Sequence, residues 1–221
     1  METKESFVLW DIPTRCFHWL LVLCVPLSWW SAENEYYTVH QWTGYTVLVL
    51  VLTRVVWGFL GSRHSRFSDF LAGPSGVLAY MRGRSDGGRG HNPLGGWSVL
   101  ALLSLLLMQA VSGLFNTDDV LFSGPLYYAA STSLRDAMGE LHELAFDGLV
   151  ALVCLHILAV LYHQLRLRQP LLQAMLRGSA ENRSGQQAPA PWWKALVILA
   201  IVAGVLWWVV AQAPQPAPMA W

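Results

Sequence analysis

Five apolar runs, at about residues 14–31, 38–60, 95–115, 138–164 and 192–212, constrain this chain more than any other feature. A helix needs about 20 predominantly apolar residues to cross the hydrocarbon core. The first run is short by that measure and the other four are adequate. Inside lipid every backbone N–H and C=O must be satisfied within the spanning structure, which leaves helices or a closed barrel. A barrel needs strands of about ten residues that alternate polar with apolar. The run Val47-Leu48-Val49-Leu50-Val51-Leu52 does not alternate. The expected fold is all-α and integral to the membrane, a four-helix transmembrane bundle followed by a fifth, C-terminal transmembrane helix. With 13% charged residues, the chain carries about half the share of a soluble domain.

The first run has the length of a signal-peptide core. Before it, however, stand Glu2 and Glu5 against Lys4, and Ser28-Trp29-Trp30 is a poor cleavage site, so it reads as a retained membrane helix. Cys16, Cys24 and Cys154 all lie in apolar runs with no CxxC or CxxCH pattern. Neither a disulfide framework nor a covalently attached c-type haem is indicated, and buried thiols acting as small hydrophobes are expected.

Charge is asymmetric along the chain. Lys4, Arg15, Arg63, Arg66, Arg82, Arg84, Arg89, Arg166, Arg168, Arg177, Arg183 and Lys194 fall on one side of the five crossings, and Arg135 alone on the other. Basic loops face the cytoplasm. The N-terminus is therefore expected in the cytoplasm and the C-terminus in the periplasm. The exterior loops hold Glu33, Glu35, Asp118, Asp119 and Asp136 instead. Net charge is zero, and nothing points to a nucleic acid partner. Residues 83–96 read as a cytoplasmic loop, with Pro74–Met81 a short surface helix started by its proline. Residues 179–191 read as a polar linker, and 213–221 as an extended exterior tail.

Ionisable groups within membrane helices are functional candidates by default. Alternating helix directions place His18 and His156 towards the cytoplasmic side, and His40 and His142 towards the exterior. Fourteen residues on one helix fall about 40° short of four turns and rise about 21 Å, so His142 and His156 share a stripe at two depths. Imidazoles on facing helices suit haem iron, and two pairs at matched depths suit two haems. Bis-histidine ligation leaves no open position, which favours electron transfer over oxygen chemistry. Arg54, fourteen residues beyond His40, and Arg15 are candidates for the inner haem propionates, since guanidinium forks match carboxylates. Gly44, Gly113 and Gly148 admit either a flat ring or close helix packing. His163 is an alternative inner ligand near the headgroups, and His64 and His91 are expected in solvated loop positions. Glu143 and Asp147 read as interfacial acids or as proton relays. Paired tryptophans such as Trp29-Trp30 and Trp207-Trp208 read as interfacial belts.

The run Trp10-Asp11-Ile12-Pro13-Thr14-Arg15-Cys16-Phe17-His18-Trp19-Leu20 resembles the first-helix motif of the bacterial cytochrome b561 family, which includes the b-type cytochrome subunits of nickel–iron hydrogenases. The resemblance continues through His40-Gln41-Trp42-Thr43-Gly44-Tyr45, Arg54-Val55-Val56-Trp57-Gly58-Phe59-Leu60-Gly61, Arg66-Phe67-Ser68-Asp69-Phe70, Gly90-His91-Asn92-Pro93-Leu94-Gly95-Gly96, and His142 and His156. It covers about residues 8–178. It implies a four-helix domain over residues 1–178 with two non-covalent haems b, ligated by His18, His40, His142 and His156. It also implies a bacterial inner-membrane location and electron exchange between ubiquinone or menaquinone and a periplasmic redox partner, such as a c-type cytochrome or another redox subunit. Helix 192–212 lies outside that core. The alternatives are a superoxide-oxidising quinone reductase, the membrane anchor of a multisubunit oxidoreductase such as a hydrogenase, and, last, a metal transporter using the same histidines.

Overall fold

The computed structural model describes residues 8–84, 91–118, 122–179 and 188–214. The described residues are helical, with one isolated β-bridge between Thr117 and Ser123. Five helices are long and apolar enough to cross a membrane: α1 (Ile12–Glu33), α2 (Tyr37–Leu60), α5 (Pro93–Gly113), α6 (Thr132–Leu165) and α8 (Trp193–Ala211). Between α2 and α5 lie two short helices, α3 (Phe67–Phe70) and α4 (Pro74–Met81), and after α6 comes α7 (Leu171–Arg177). The expected surface helix is α4. Short α3 and α7 have no apolar period long enough to announce them.

Local chemistry sets the ends. Asp11 caps α1 by accepting from the Thr14 N–H at 2.9 Å, with Pro13 in the first turn. These two extend the short first run to 22 residues. Asn92 caps α5 through the Gly95 N–H at 2.7 Å, ahead of Pro93, so residues 93–96 belong to the helix rather than to the expected loop. Helix α6 starts at Thr132, six residues before its apolar run, because Ser131 caps a polar first turn. Its 34 residues extend about 51 Å, against a hydrocarbon core of about 30 Å. The Ser131 end therefore stands outside the lipid. Residues 1–7, 85–90 and 215–221, and most of the 179–191 linker, lie outside the described residues.

Helix α1 packs on α2, α2 on α5, and α5 on α6, while α6 makes little direct contact with α1 or α2. Val47 and Val51 of α2, Leu103 and Leu106 of α5 and Leu149 of α6 form the mid-bundle core, with Phe17 and Leu21 of α1 packed against it. Leu149 is midway between His142 and His156, so this core separates the two histidine levels. Helix α8 lies along α2. Cys16 and Cys154 are exposed on the outside of the bundle, which corrects the expectation of buried thiols. An apolar run tells that lipid or protein covers a side chain, not which.

The basic end is closed by polar contacts. Leu9 and Trp10 N–H groups both donate to the Gly178 carbonyl, at 2.7 and 3.0 Å, and Leu9 and Trp10 pack on Ala174 of α7. Gly96 of α5 touches the α3 backbone so closely that an added Cβ would sit 2.5 Å from the Phe70 carbonyl oxygen. Gly96→Ala is expected to cost about 1–3 kcal/mol through forced backbone shifts. It should lower the apparent melting temperature in detergent, whereas Gly204→Ala on α8, with nothing within 4 Å of the added carbon, should change it little.

Candidate functional site

The structure brings the exterior histidines together. The rings of His40 on α2 and His142 on α6 stand 6.3 Å apart, centroid to centroid, at 78°. A metal–imidazole bond is about 2 Å long and the ligating nitrogen lies about 1 Å from its ring centre, so two imidazoles across one metal stand roughly 6 Å apart. The pair is spaced as such ligands are. It bridges α2 and α6, which otherwise hardly touch.

Each ring is oriented by a neighbour. His40 Nδ1–H donates to the Ser28 carbonyl at 2.9 Å, which leaves Nε2 as the unprotonated ring nitrogen. His142 Nδ1 lies 3.1 Å from the Ser112 hydroxyl, which donates to the Gln109 carbonyl and so accepts the Nδ1 proton. The Gln109 side-chain amide donates to His142 Nε2 at 3.0 Å. Carbonyl or hydroxyl partners on Nδ1 are the usual way a metal-binding imidazole is held. For Nε2 to meet iron, the Gln109 amide must turn aside; its Oε1 is buried with no partner among the described residues, so nothing else anchors it. Ser112 and Gln109 were not singled out from sequence. The available signal was a carboxamide near the end of an otherwise apolar helix, the kind of polar group that needs a reason in lipid.

At the other level, His18 of α1 and His156 of α6 are near enough to interact electrostatically. His18 Nδ1 is buried and unpartnered among the described residues, and the ring meets Trp19 edge-on at 5.0 Å. Arg54 is 4% exposed, with its guanidinium 5.5 Å from the Phe67 ring and Nη1 unpartnered among the described residues. A buried guanidinium N–H without an acceptor is costly, and a propionate would supply one. Arg15 donates its Nε to the Met175 carbonyl at 3.2 Å and its Nη2 to the Leu176 carbonyl, with Nη1 left over for a further acceptor. Gly44, with open space beside it, fits a ring laid against α2. An added Cβ on Gly113 would stand 3.0 Å from His142 Cε1, so this glycine makes room for the imidazole itself. The residues present thus fit haem at both levels.

The remaining histidines have local partners. His64 is buried, with Nδ1 2.8 Å from Asp69 Oδ2, which corrects its expected solvated position. His91 packs against Trp10 and Phe70, at 4.7 and 4.8 Å between centroids. His163 Nδ1–H donates to Gln169 Oε1 at 3.1 Å, tying it to the end of α6. No group of three or more His, Cys, Asp or Glu positioned for a metal ion occurs among the described residues.

Residues 9–178 match the profile of prokaryotic cytochrome b561. The chain belongs to that family. Two relatives, from Escherichia coli strain K12 and Escherichia coli O157:H7, carry the name "Probable Ni/Fe-hydrogenase 1 B-type cytochrome subunit". Each is 23% identical over 144 residues, covering 51% of this chain and 60% of the relative. The chain thus spans less than two thirds of the length of these curated relatives. No solved structure matches it. Membership, with five helices long and apolar enough to cross a membrane, makes the chain a multi-pass membrane protein of a b-type cytochrome family.

Proposed function

We propose that this cytochrome b561 holds two haems b, the outer between His40 and His142 and the inner between His18 and His156. It passes electrons between ubiquinone or menaquinone in the bacterial inner membrane and a periplasmic redox partner, a c-type cytochrome or another redox subunit. The 6.3 Å spacing of the His40 and His142 rings carries this reading. Haem supplies one-electron chemistry; the chain's part is to ligate, orient and insulate. Residues 1–178 form the redox unit, with the N-terminus cytoplasmic and the C-terminus periplasmic. Gly44 gives the outer ring its approach to α2, while Arg54 receives a propionate of the inner one. Arg15 holds α7 under the inner site.

Ser112 is a positioning residue in this account. By accepting the Nδ1 proton it makes His142 a stronger donor to ferric iron. Ser112→Ala should therefore raise the reduction potential of the outer haem by tens of millivolts while leaving haem content and the inner potential unchanged. A spectroelectrochemical titration of the two haems reads this directly.

The exterior acids support a basic partner surface, because complementary charge speeds encounter. Asp118→Asn with Asp119→Asn should slow reduction of a basic c-type cytochrome and flatten its salt dependence in stopped-flow mixing. Unchanged kinetics would remove that partner class. The name of the Escherichia coli relatives favours a second reading, a membrane anchor for a hydrogenase-like complex. Co-purification with a periplasmic subunit would support it.

A further inference from the structure

At the basic end of the bundle, between the start of α1, the end of α7 and the foot of α8, lies a cleft of about 360 Å³. Arg15, in its wall, stands one helical turn before His18 on α1. Arg15 and Arg177 line the cleft, with Asp11, Ile12, Pro13 and Trp192 among its other walls. Neither arginine has a carboxylate within ion-pairing distance among the described residues. The partners of Arg15 are neutral carbonyls of α7, which orient its guanidinium without cancelling its charge.

Gly178 completes the arrangement. Its φ of +83° ends α7, and a Cβ there would stand 2.8 Å from Arg15 Nη1. A side chain here would be strained by the left-handed φ and would crowd the Arg15 guanidinium and the Trp10 carbonyl. Asp11 shares the lining, but its oxygens already accept from Thr14, Trp57 and Ser65 and it is almost wholly buried. Among the described lining residues, two guanidinium groups and one carboxylate leave a charge of +1, which one monoanion balances. Ile12 and Trp192, both more than half exposed, add an apolar, interfacial side to the same cleft.

We infer that this cleft binds a phosphate-bearing anion, with Arg15 and Arg177 as the forks on its oxygens. A phosphodiester carries the single negative charge the site lacks. Basic pockets between transmembrane helices at the positive face suit anionic headgroups, and guanidinium matches phosphate in bidentate fashion. The source is an anionic phospholipid or free phosphate, and the two are separable by experiment.

The full chain, purified in detergent and stripped of lipid, would be mixed with short-chain phosphatidylglycerol, phosphatidylcholine or inorganic phosphate and followed by native mass spectrometry. One phosphatidylglycerol per chain should be retained in preference to phosphatidylcholine. Arg177→Gln should weaken retention about tenfold, Arg177→Lys should weaken it less, and Lys194→Gln, outside the cleft, should not. Melting curves of the variants show that each is folded. Displacement of the lipid by inorganic phosphate assigns the site to free phosphate; persistence assigns it to lipid. Equal retention of the two lipids without phosphate binding, or a folded Arg177→Gln that retains phosphatidylglycerol like the parent, would overturn the inference.

Discussion

His142→Ala is expected to lose one of two haems and keep the other. The variant removes one side of the outer site, and alanine offers iron nothing. The inner pair is insulated from that change by the core of Val47, Val51, Leu103, Leu106 and Leu149, so its ligands stay in register. Haem content should fall from two to one per chain, and the remaining haem should keep its low-spin spectrum. His18→Ala should give the same content with the complementary potential surviving. Because α6 makes little direct contact with α1 and α2, each haem of the proposed pair would also bridge them. Both variants should melt several degrees below the parent, with the α6 backbone exchanging faster in hydrogen–deuterium exchange. Two haems retained in His142→Ala would exclude this ligand.

Asp11→Ala is the second large effect, and it acts on stability. The carboxylate is 3% exposed and accepts from the Thr14 N–H, the Trp57 Nε1–H at 2.9 Å and the Ser65 hydroxyl at 3.0 Å. Its charge also reaches the buried Arg54. Truncation would orphan these buried donors, a loss of about 3 kcal/mol. Removal of the α1 cap alone accounts for about 1 kcal/mol. Burial by itself would raise the Asp11 carboxyl, but hydrogen bonds from Ser62, Thr14 and Trp57 outweigh it and hold the group below its ordinary value of 3.8. A depressed folded-state value stabilises the fold above the unfolded value and withdraws that support as pH falls through the folded one. Melting temperature should therefore be insensitive to this group from neutral pH down to about 5, then fall in acid below about 4. In Asp11→Asn the acid-dependent part should be missing. A parent-like acid profile in that variant would show that Asp11 does not carry it.

Much of this fold was legible because membrane helices announce themselves by length and apolarity. The start of α6 was not legible, since residues 132–137 are polar and apolarity alone cannot see a helix that projects beyond lipid. Depth and direction pair His40 with His142, and their rings stand 6.3 Å apart. Ser112 and Gln109 escaped because their role depends on which face of α5 meets α6, and α5 is apolar nearly all round. The same uniformity hid the packing of α8 along α2. His64 was misread because Arg63 and Arg66 beside it suggested a solvated loop; Asp69, one short helix later, supplies the partner that lets it be buried. Charge and depth alone point to Arg15 and cannot reveal that carbonyls of α7, some 160 residues away in sequence, accept from its Nε and Nη2.

The most direct test is haem stoichiometry in the purified full-length chain, by pyridine haemochrome against quantitative amino-acid analysis, with oxidised and dithionite-reduced spectra. Two haems b per chain, both six-coordinate and low-spin, is the result this account predicts. A folded, haem-replete preparation holding none, or a single haem that survives loss of His40 and His142, would contradict it.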